Sequence, residues 1–264
     1  MSSSRGTAGS GSTLAGPDIR IAATVDELSR AAAAEFVEVV TAAVAARDIA
    51  AVALAGGSTP RHVYRLLAED PPLSSRVPWR KIQFFWGDER HVPPDNDQSN
   101  YRMASEELLA KVPVRSECVH RVRAENADAA AAALEYEHEV RTTLATKTRE
   151  IPRFDLILLG MGPDGHTASL FPGTDALAER VRLVVANWVA TFQAHRITMT
   201  LPLLNAAASV VFLVAGADKA EIVREVLRGG ASTSGYPAQL VRPRDGRLTW
   251  LLDRAAAQHL HEAV

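Results

Sequence analysis

The sequence of 264 residues contains one cysteine, Cys118. A single thiol excludes an intramolecular disulfide and any structural zinc site built from several cysteines, and it is consistent with a reducing compartment. No apolar run approaches the roughly 20 residues that a membrane-spanning helix requires, so no membrane partner is expected. A surplus of charge is also missing. The chain carries 29 Lys and Arg against 31 Asp and Glu, a net charge of -2, which offers nucleic acid no basic surface. The opening "MSSSRGTAGSGSTLAGP" lacks the apolar core of a secretory signal and reads as a flexible tail over residues 1–17. These absences together suggest a cytoplasmic globular protein. Nothing in the sequence chooses between a monomer and a dimer.

What is present is a hydrophobic share of 47% in a length that suits one large α/β domain, residues 18–264. Short runs rich in branched aliphatics alternate with longer stretches of helical period, the pattern of β-α units around a mostly parallel sheet flanked by helices. The strand-like runs are "IRIAA", "AAVALA", "IQFFW", "VHRV", "DLILLG", "LVVA", "RITMT", "VVFLVA" and "LTWLL". Helical stretches are expected near 61–69, 100–110, 127–148 and 218–228, and "EDPPLSSRVP" reads as a surface connection. Thr24 and Glu27 form a capping box ahead of a long amphipathic helix in which Leu28, Phe36, Val39, Val40 and Val44 share much of one face.

Ligands of open parallel sheets collect beyond the carboxyl ends of the strands, so the loops that follow the strand-like runs are where function is sought. After "AAVALA" come Gly56, Gly57, Ser58, Thr59 and Pro60, then a helix. Paired glycines let backbone amides approach an anion, a Ser or Thr caps the helix, and proline suits its first turn. This is a phosphate cradle or a plain strand-to-helix turn, and it lacks the lysine of a nucleotide-triphosphate loop. After "IQFFW" come Asp88, Glu89, Arg90 and His91, able to orient a polar substrate or bind an oxyanion. A metal held by Asp88, Glu89 and His91 is disfavoured, because no second cluster of ligand spacing accompanies them. Arg196 and Lys219 lie where a parallel sheet could aim them at a phosphate, or are solvated charges.

A third loop, "GMGPDGHTAS", satisfies G-x-G-x-x-G with Gly160, Gly162 and Gly165, directly after a buried-strand pattern. A dinucleotide site also needs an acidic residue at the end of the next strand, yet "RLVVA" leads into Asn187 and Trp188. Pro163 and Asp164 occupy the turn and His166 follows the last glycine, where a phosphate loop needs no imidazole. If a helix begins at Thr167, its dipole keeps His166 neutral and able to act as a general base. A structural histidine is the alternative. His62, His91, His120, His138, His195, His259 and His261 fall mostly in polar helices or at strand ends and read as structural.

Taken in order, "LAGGSTP", "FFWGDERHVPPDNDQSNYRM", "FDLILLGMGPDGHTASLFPG", "RITMTLPLLNAA" and "LVAGADKA" resemble the 6-phosphogluconolactonase family from about Ile19 to the end. The resemblance implies a modified Rossmann-like α/β fold, shared with amino-sugar-phosphate deaminases and ribose-phosphate isomerases. It implies hydrolysis of 6-phospho-D-glucono-1,5-lactone to 6-phospho-D-gluconate, in the oxidative branch of the pentose phosphate pathway, without metal or organic cofactor. On this likeness His166 takes the place of the general base and Arg90 that of the substrate-orienting arginine. Ser58, Thr59, Arg196 and Lys219 fall where related enzymes hold the phosphate, with Gly56, Gly57 and Asp88 beside them, and Asp164 steadies the loop or the imidazole. The deaminase branch typically shows "DGHIAFNEPG" and "MDEY" where this chain has "DGHTASLFPG" and "GDERH". An amino-sugar-phosphate deaminase or isomerase, and a non-catalytic sugar-phosphate sensor, remain the alternatives.

Overall fold

The computed structural model describes residues 16–144, 150–228 and 235–260. All but the last two residues of the expected tail, the end of the helical stretch 127–148, and His261 lie outside the described residues. Six strands form one parallel sheet: β1 (Asp18–Ala22), β2 (Ala50–Leu54), β3 (Ile82–Trp86), β5 (Leu156–Leu159), β8 (Ser209–Val214) and β9 (Arg247–Asp253), in the order β1-β9-β8-β5-β2-β3. A second sheet is antiparallel, with β4 (Asp88–Arg90), β7 (Ala194–Met199) and β6 (Val184–Val189) side by side.

Helix α1 (Val25–Arg47) follows β1, and its start is the expected capping box with one displacement. Thr24 Oγ1 accepts the Glu27 N–H at 3.2 Å, while the Glu27 carboxylate reaches back to the N–H of Ala23 rather than that of the cap. Leu28, Phe36 and Val40 are fully buried beneath it, with Val39 and Val44 partly so. Residues within the inner parallel strands alternate between two apolar layers, while β1 at the edge is largely exposed. Ile157 and Leu159 of β5, with Val210, Phe212 and Val214 of β8, enter the layer that holds the helix Ala129–Thr143. Leu156, Leu158, Val211 and Leu213 enter the layer under α1. A strand buried on both faces has no polar side to display, which is why these runs read as continuously apolar.

Several expectations change in three dimensions. "VHRV" makes only one bridge, Phe84 to Val119, and is not a strand. "LVVA" and "RITMT" pair with each other in antiparallel register, so Arg196 stands on a small separate sheet and not on the parallel one. Periodicity within a strand is the same for both pairings, so only the partner decides. The stretch 100–110 is one α-turn, Asn100–Ala104, continued by a π-turn, Ser105–Leu109.

The chain enters β2 from one side, leaves β2 for β3 on its outer flank, and later leaves β5 for β8 on the opposite flank. The crevice between the carboxyl ends of β2 and β5 is therefore a topological switch point, where the loops part and leave space for a ligand. Two buried tyrosines hold strand ends beside it. Tyr64 bonds both the N–H and the carbonyl of Ala55, and Tyr136 does the same for Trp86. Burial drives both phenols well above the ordinary tyrosine range, so each hydroxyl stays protonated and can donate and accept at once.

Candidate active site

A cavity of about 260 Å³ opens at this switch point, lined by residues from the three loops singled out in the sequence and from a fourth, "AGADKA", which carries Lys219. Gly56, Gly57, Ser58, Thr59, Asp88, Arg90, His166 and Lys219 are among its walls. Arg196 and Asp164 are not among the lining residues.

On one wall the helix α2 (Ser58–Glu69) begins, capped by Gly57 with φ of 106° and by no side chain. The expected Ser or Thr cap is thus corrected: Ser58 and Thr59 are the first two helical residues, and the left-handed cap is a conformation that glycine adopts without a Cβ penalty. First-turn N–H groups left without a capping oxygen, together with the helix dipole, favour an anion. Gly56 is also required by packing, because a Cβ there would run into the Asn100 side chain. Lys219 comes from the loop after β8, its ammonium 2.8 Å from Asp218 and only 19% exposed. Gly216, with φ of 104°, turns that loop, and its N–H is held by Asp253 at 3.1 Å. The Lys219 hydrogen bond holds the Asp218 carboxyl below the usual range.

A second wall is β4, reached when the chain crosses between the sheets at Gly87. The Gly87 N–H bonds Leu54 of the large sheet, and its carbonyl accepts from Met199 of the small one. Strand alternation then sends Asp88 and Arg90 to one face and Glu89 to the other. Asp88, buried, accepts the Ser169 hydroxyl at 2.5 Å and faces the Asn100 amide at 3.4 Å. Glu89 accepts N–H groups of Arg90, Asn100 and Tyr101 and the Ser99 hydroxyl, anchoring the start of the helix Asn100–Ala104. Burial raises its carboxyl above the usual range against the lowering effect of those N–H groups. His91 bonds the Asn126 carbonyl at 2.7 Å. Asp88, Glu89 and His91 therefore serve three separate surroundings, and among the described residues no three His, Cys, Asp or Glu side chains gather as a metal site.

Arg90 donates to the Gln98 carbonyl at 2.6 Å, and its buried Nε has no partner. Directly across the ladder stands Arg196. Its guanidinium lies over the Phe192 ring at 4.8 Å, and burial first, then the neighbouring Arg90 charge, lowers its pKa. Among the described residues neither guanidinium forms an ion pair, and the charges of Asp88 and Glu89 partly offset the effect of Arg90 on Arg196.

The third wall is the glycine loop, and here the helix expected at Thr167 does not exist. Thr167 and Leu170 bridge across a tight reversal, with Ala168 at φ of 47°. No helix dipole acts on His166. Its surroundings are set instead by Asp164, whose carboxylate lies 2.5 Å from Nδ1, and by Phe171, stacked on the imidazole at 4.1 Å. In a neutral ring a carboxylate at Nδ1 selects the tautomer with the proton there and the lone pair on Nε2, and Nε2 has no protein partner among the described residues. The glycines explain themselves in these terms. A Cβ on Gly162 would occupy the place of the imidazole, and Gly165, with φ of 76°, lies against Tyr236. Gly162 thus makes room for the histidine, while Gly160 faces open space.

Sequence reasoning did not find Asn100, Ser169, Phe171 or the two strand-end tyrosines. Of these only Ser169 and Phe171 carried a local signal, their place in the same loop as His166. Tyr64 and Asn100 stand on helices that follow two of the site's loops, and Tyr136 reaches Trp86 from a helix 50 residues away.

The family model described as glucosamine-6-phosphate isomerases/6-phosphogluconolactonase matches residues 23–250. The chain is 43% identical over 222 residues to a 6-phosphogluconolactonase of Synechocystis, covering 84% of this chain and 89% of that protein. It is 40% identical over 240 residues to a 6-phosphogluconolactonase of Mycobacterium tuberculosis, covering 89% and 95%. Among solved structures, 6-phosphogluconolactonase from Trypanosoma cruzi superposes with a TM-score of 0.82 at 32% identity, over 93% of this chain and 97% of that one.

Proposed function

This chain belongs to the glucosamine-6-phosphate isomerase/6-phosphogluconolactonase family, and we infer from that membership and the site that it hydrolyses 6-phospho-D-glucono-1,5-lactone to 6-phospho-D-gluconate. The observation that carries the mechanism is a histidine with Nε2 unpartnered, held by a carboxylate in a cavity that also presents a bare helix N-terminus and a lysine. In this reading the phosphate rests against the first-turn N–H groups at Ser58 and Thr59 and against Lys219. Arg196, outside the cavity lining, adds positive charge beside Arg90.

His166 Nε2 takes a proton from water as the oxygen attacks the lactone carbonyl carbon. The carbonyl π bond opens to an oxyanion, met by Arg90 or by loop amides. Collapse of this intermediate breaks the bond from the carbonyl carbon to the ring oxygen, and the imidazolium returns its proton to that oxygen. Asp164 holds the ring in the required tautomer and stabilises the imidazolium. A lactone is an activated ester, so no covalent nucleophile is required. No metal enters this scheme, and prolonged chelation should leave activity unchanged; activity restored only by an added metal would overturn that part. We also read residues 18–264 as one domain, because a single sheet uses strands from Asp18 to Asp253, and we assign the protein to the cytoplasm. The substrate is a small molecule; no nucleic-acid or membrane partner is assigned.

The test is incubation with freshly generated lactone and, separately, with glucosamine 6-phosphate. Acid release above background hydrolysis with the first, and no ammonia or ketose from the second, is the expected result. Reaction only with the amino sugar would make the chain a deaminase or isomerase. Binding of either without turnover would make it a sensor.

A further inference from the structure

We infer that Phe171 is a positioning residue for the reaction, fixing the plane of the His166 imidazole through face-to-face contact. The inference rests on His166 being the base.

An imidazole side chain has two free torsions. The hydrogen bond from Nδ1 to Asp164, at 2.5 Å, restrains one end of the ring but leaves it able to pivot about that bond. Gly162 gives space on the loop side, since the ring occupies the position a Cβ would take, and space alone does not orient. The remaining restraint is Phe171, whose ring lies 4.1 Å from the imidazole with 24° between planes. At that separation any pivot drives the imidazole edge into the phenyl face.

Phe171 is itself held. It is 7% exposed, and Phe192 meets it edge-on at 5.8 Å and 70°. Phe192 in turn lies beneath the Arg196 guanidinium, which adds a cation–π contact. The backbone contributes as well. Residues five apart in an extended chain would lie far from each other, but the reversal at Ala168, closed by Leu170 N–H to the Thr167 carbonyl at 2.9 Å, returns the chain over His166. A non-glycine residue in the left-handed region is a local cost, and it is the residue that folds Phe171 back onto the imidazole. The loop thus holds a carboxylate against the imidazole Nδ1 and a phenyl ring against one face, leaving Nε2 as the unpartnered edge.

The experiment compares Phe171→Leu and Phe171→Tyr with wild type and His166→Asn. Leu keeps an apolar volume but has no flat face, so kcat should fall roughly 10- to 100-fold, the scale of a misplaced catalytic group, while KM stays within about twofold. Tyr keeps the face and should retain most of kcat. Thermal unfolding of the variants accompanies the kinetics. In the wild type the His166 Hε1 proton resonance, identified by its loss in His166→Asn, should sit upfield through the ring current of Phe171 and move downfield in Phe171→Leu. A wild-type Hε1 at the position of an unstacked histidine overturns the inference even if Phe171→Leu does not fold. So does a Phe171→Leu enzyme with unchanged kcat, or equal losses in Leu and Tyr. If His166→Asn itself keeps its kcat, the assignment of the base fails and the inference with it; a defective His166→Asn beside an intact Phe171→Leu removes the inference alone.

Discussion

The six parallel strands and the three antiparallel ones meet at Gly87, and their contents differ sharply. In the parallel sheet the strands β2, β3, β5 and β8 are buried on both faces and contain no ionisable residue. The small sheet carries Asp88, Glu89, Arg90 and Arg196 within two short strands, and leaves Trp188 half exposed. The large sheet is a scaffold whose contribution is position: it brings four loops to one switch point. The small sheet supplies charge at the edge of that point and bears its desolvation, Asp88 and Glu89 being buried but met there by hydrogen-bond donors. Stability and electrostatics are thus assigned to different sheets, and substitutions in each should separate them.

The largest effect is expected at neither sheet but at the loop that both support. His166→Asn should lower kcat by roughly 10²–10⁴-fold, the usual worth of a positioned acid-base group, with circular dichroism and phosphate binding unchanged. Near wild-type kcat in that variant would make His166 structural. In the parallel sheet, Trp250 is 1% exposed and stacked on Phe212 at 3.9 Å. Trp250→Ala should cost about 3–5 kcal/mol of unfolding free energy in a denaturant titration while leaving kcat/KM of the folded fraction intact. A catalytic defect without a stability loss would erase the division between the sheets.

Smaller effects should come from the charges. Lys219→Ala and Arg196→Ala should each raise KM with kcat little changed, by an amount equivalent to about 1.5–3 kcal/mol for a charged hydrogen bond. Because Lys219 lines the cavity and Arg196 does not, the Lys219 effect should be the larger, and the reverse order would mean that Arg196 swings inward on binding. The smallest effect concerns Glu89 of the small sheet. Its folded pKa is raised, chiefly by burial, so its protonated form favours folding below the unfolded pKa and that contribution is lost as pH rises through the folded value. The stability advantage of wild type over Glu89→Gln should therefore shrink as pH is raised from about 4 towards neutral. An advantage that grows over this range would mean that the backbone N–H groups outweigh burial.

Much of the scaffold was legible because it is local. Doubly buried strands announce themselves as unbroken apolar runs, and Thr24 with Glu27 marks the start of α1 within four residues. The four loops of the site were legible for the same reason, each being a short cluster of glycine and charge at the end of such a run. His166 stands out by its misfit in a glycine motif, but the chain at Thr167 makes a turn and not the helix on which a dipole effect would depend. A turn and a helix start share the same small and polar residues, and the bridge between Thr167 and Leu170 is what separates them.

The amino-acid order by itself therefore determined the alternation of strands and helices, the family resemblance and the residues able to do acid-base chemistry, since hydrogen-bonding period, capping and side-chain chemistry are properties of neighbours in the chain. Tertiary structure alone decided that "RITMT" pairs antiparallel with β4, that Arg196 stands behind Arg90, and that Tyr136 pins the end of β3. Those outcomes depend on which distant surfaces meet. Contacts between residues tens of positions apart are selected by the packing of the whole core, and no short window of sequence contains both partners.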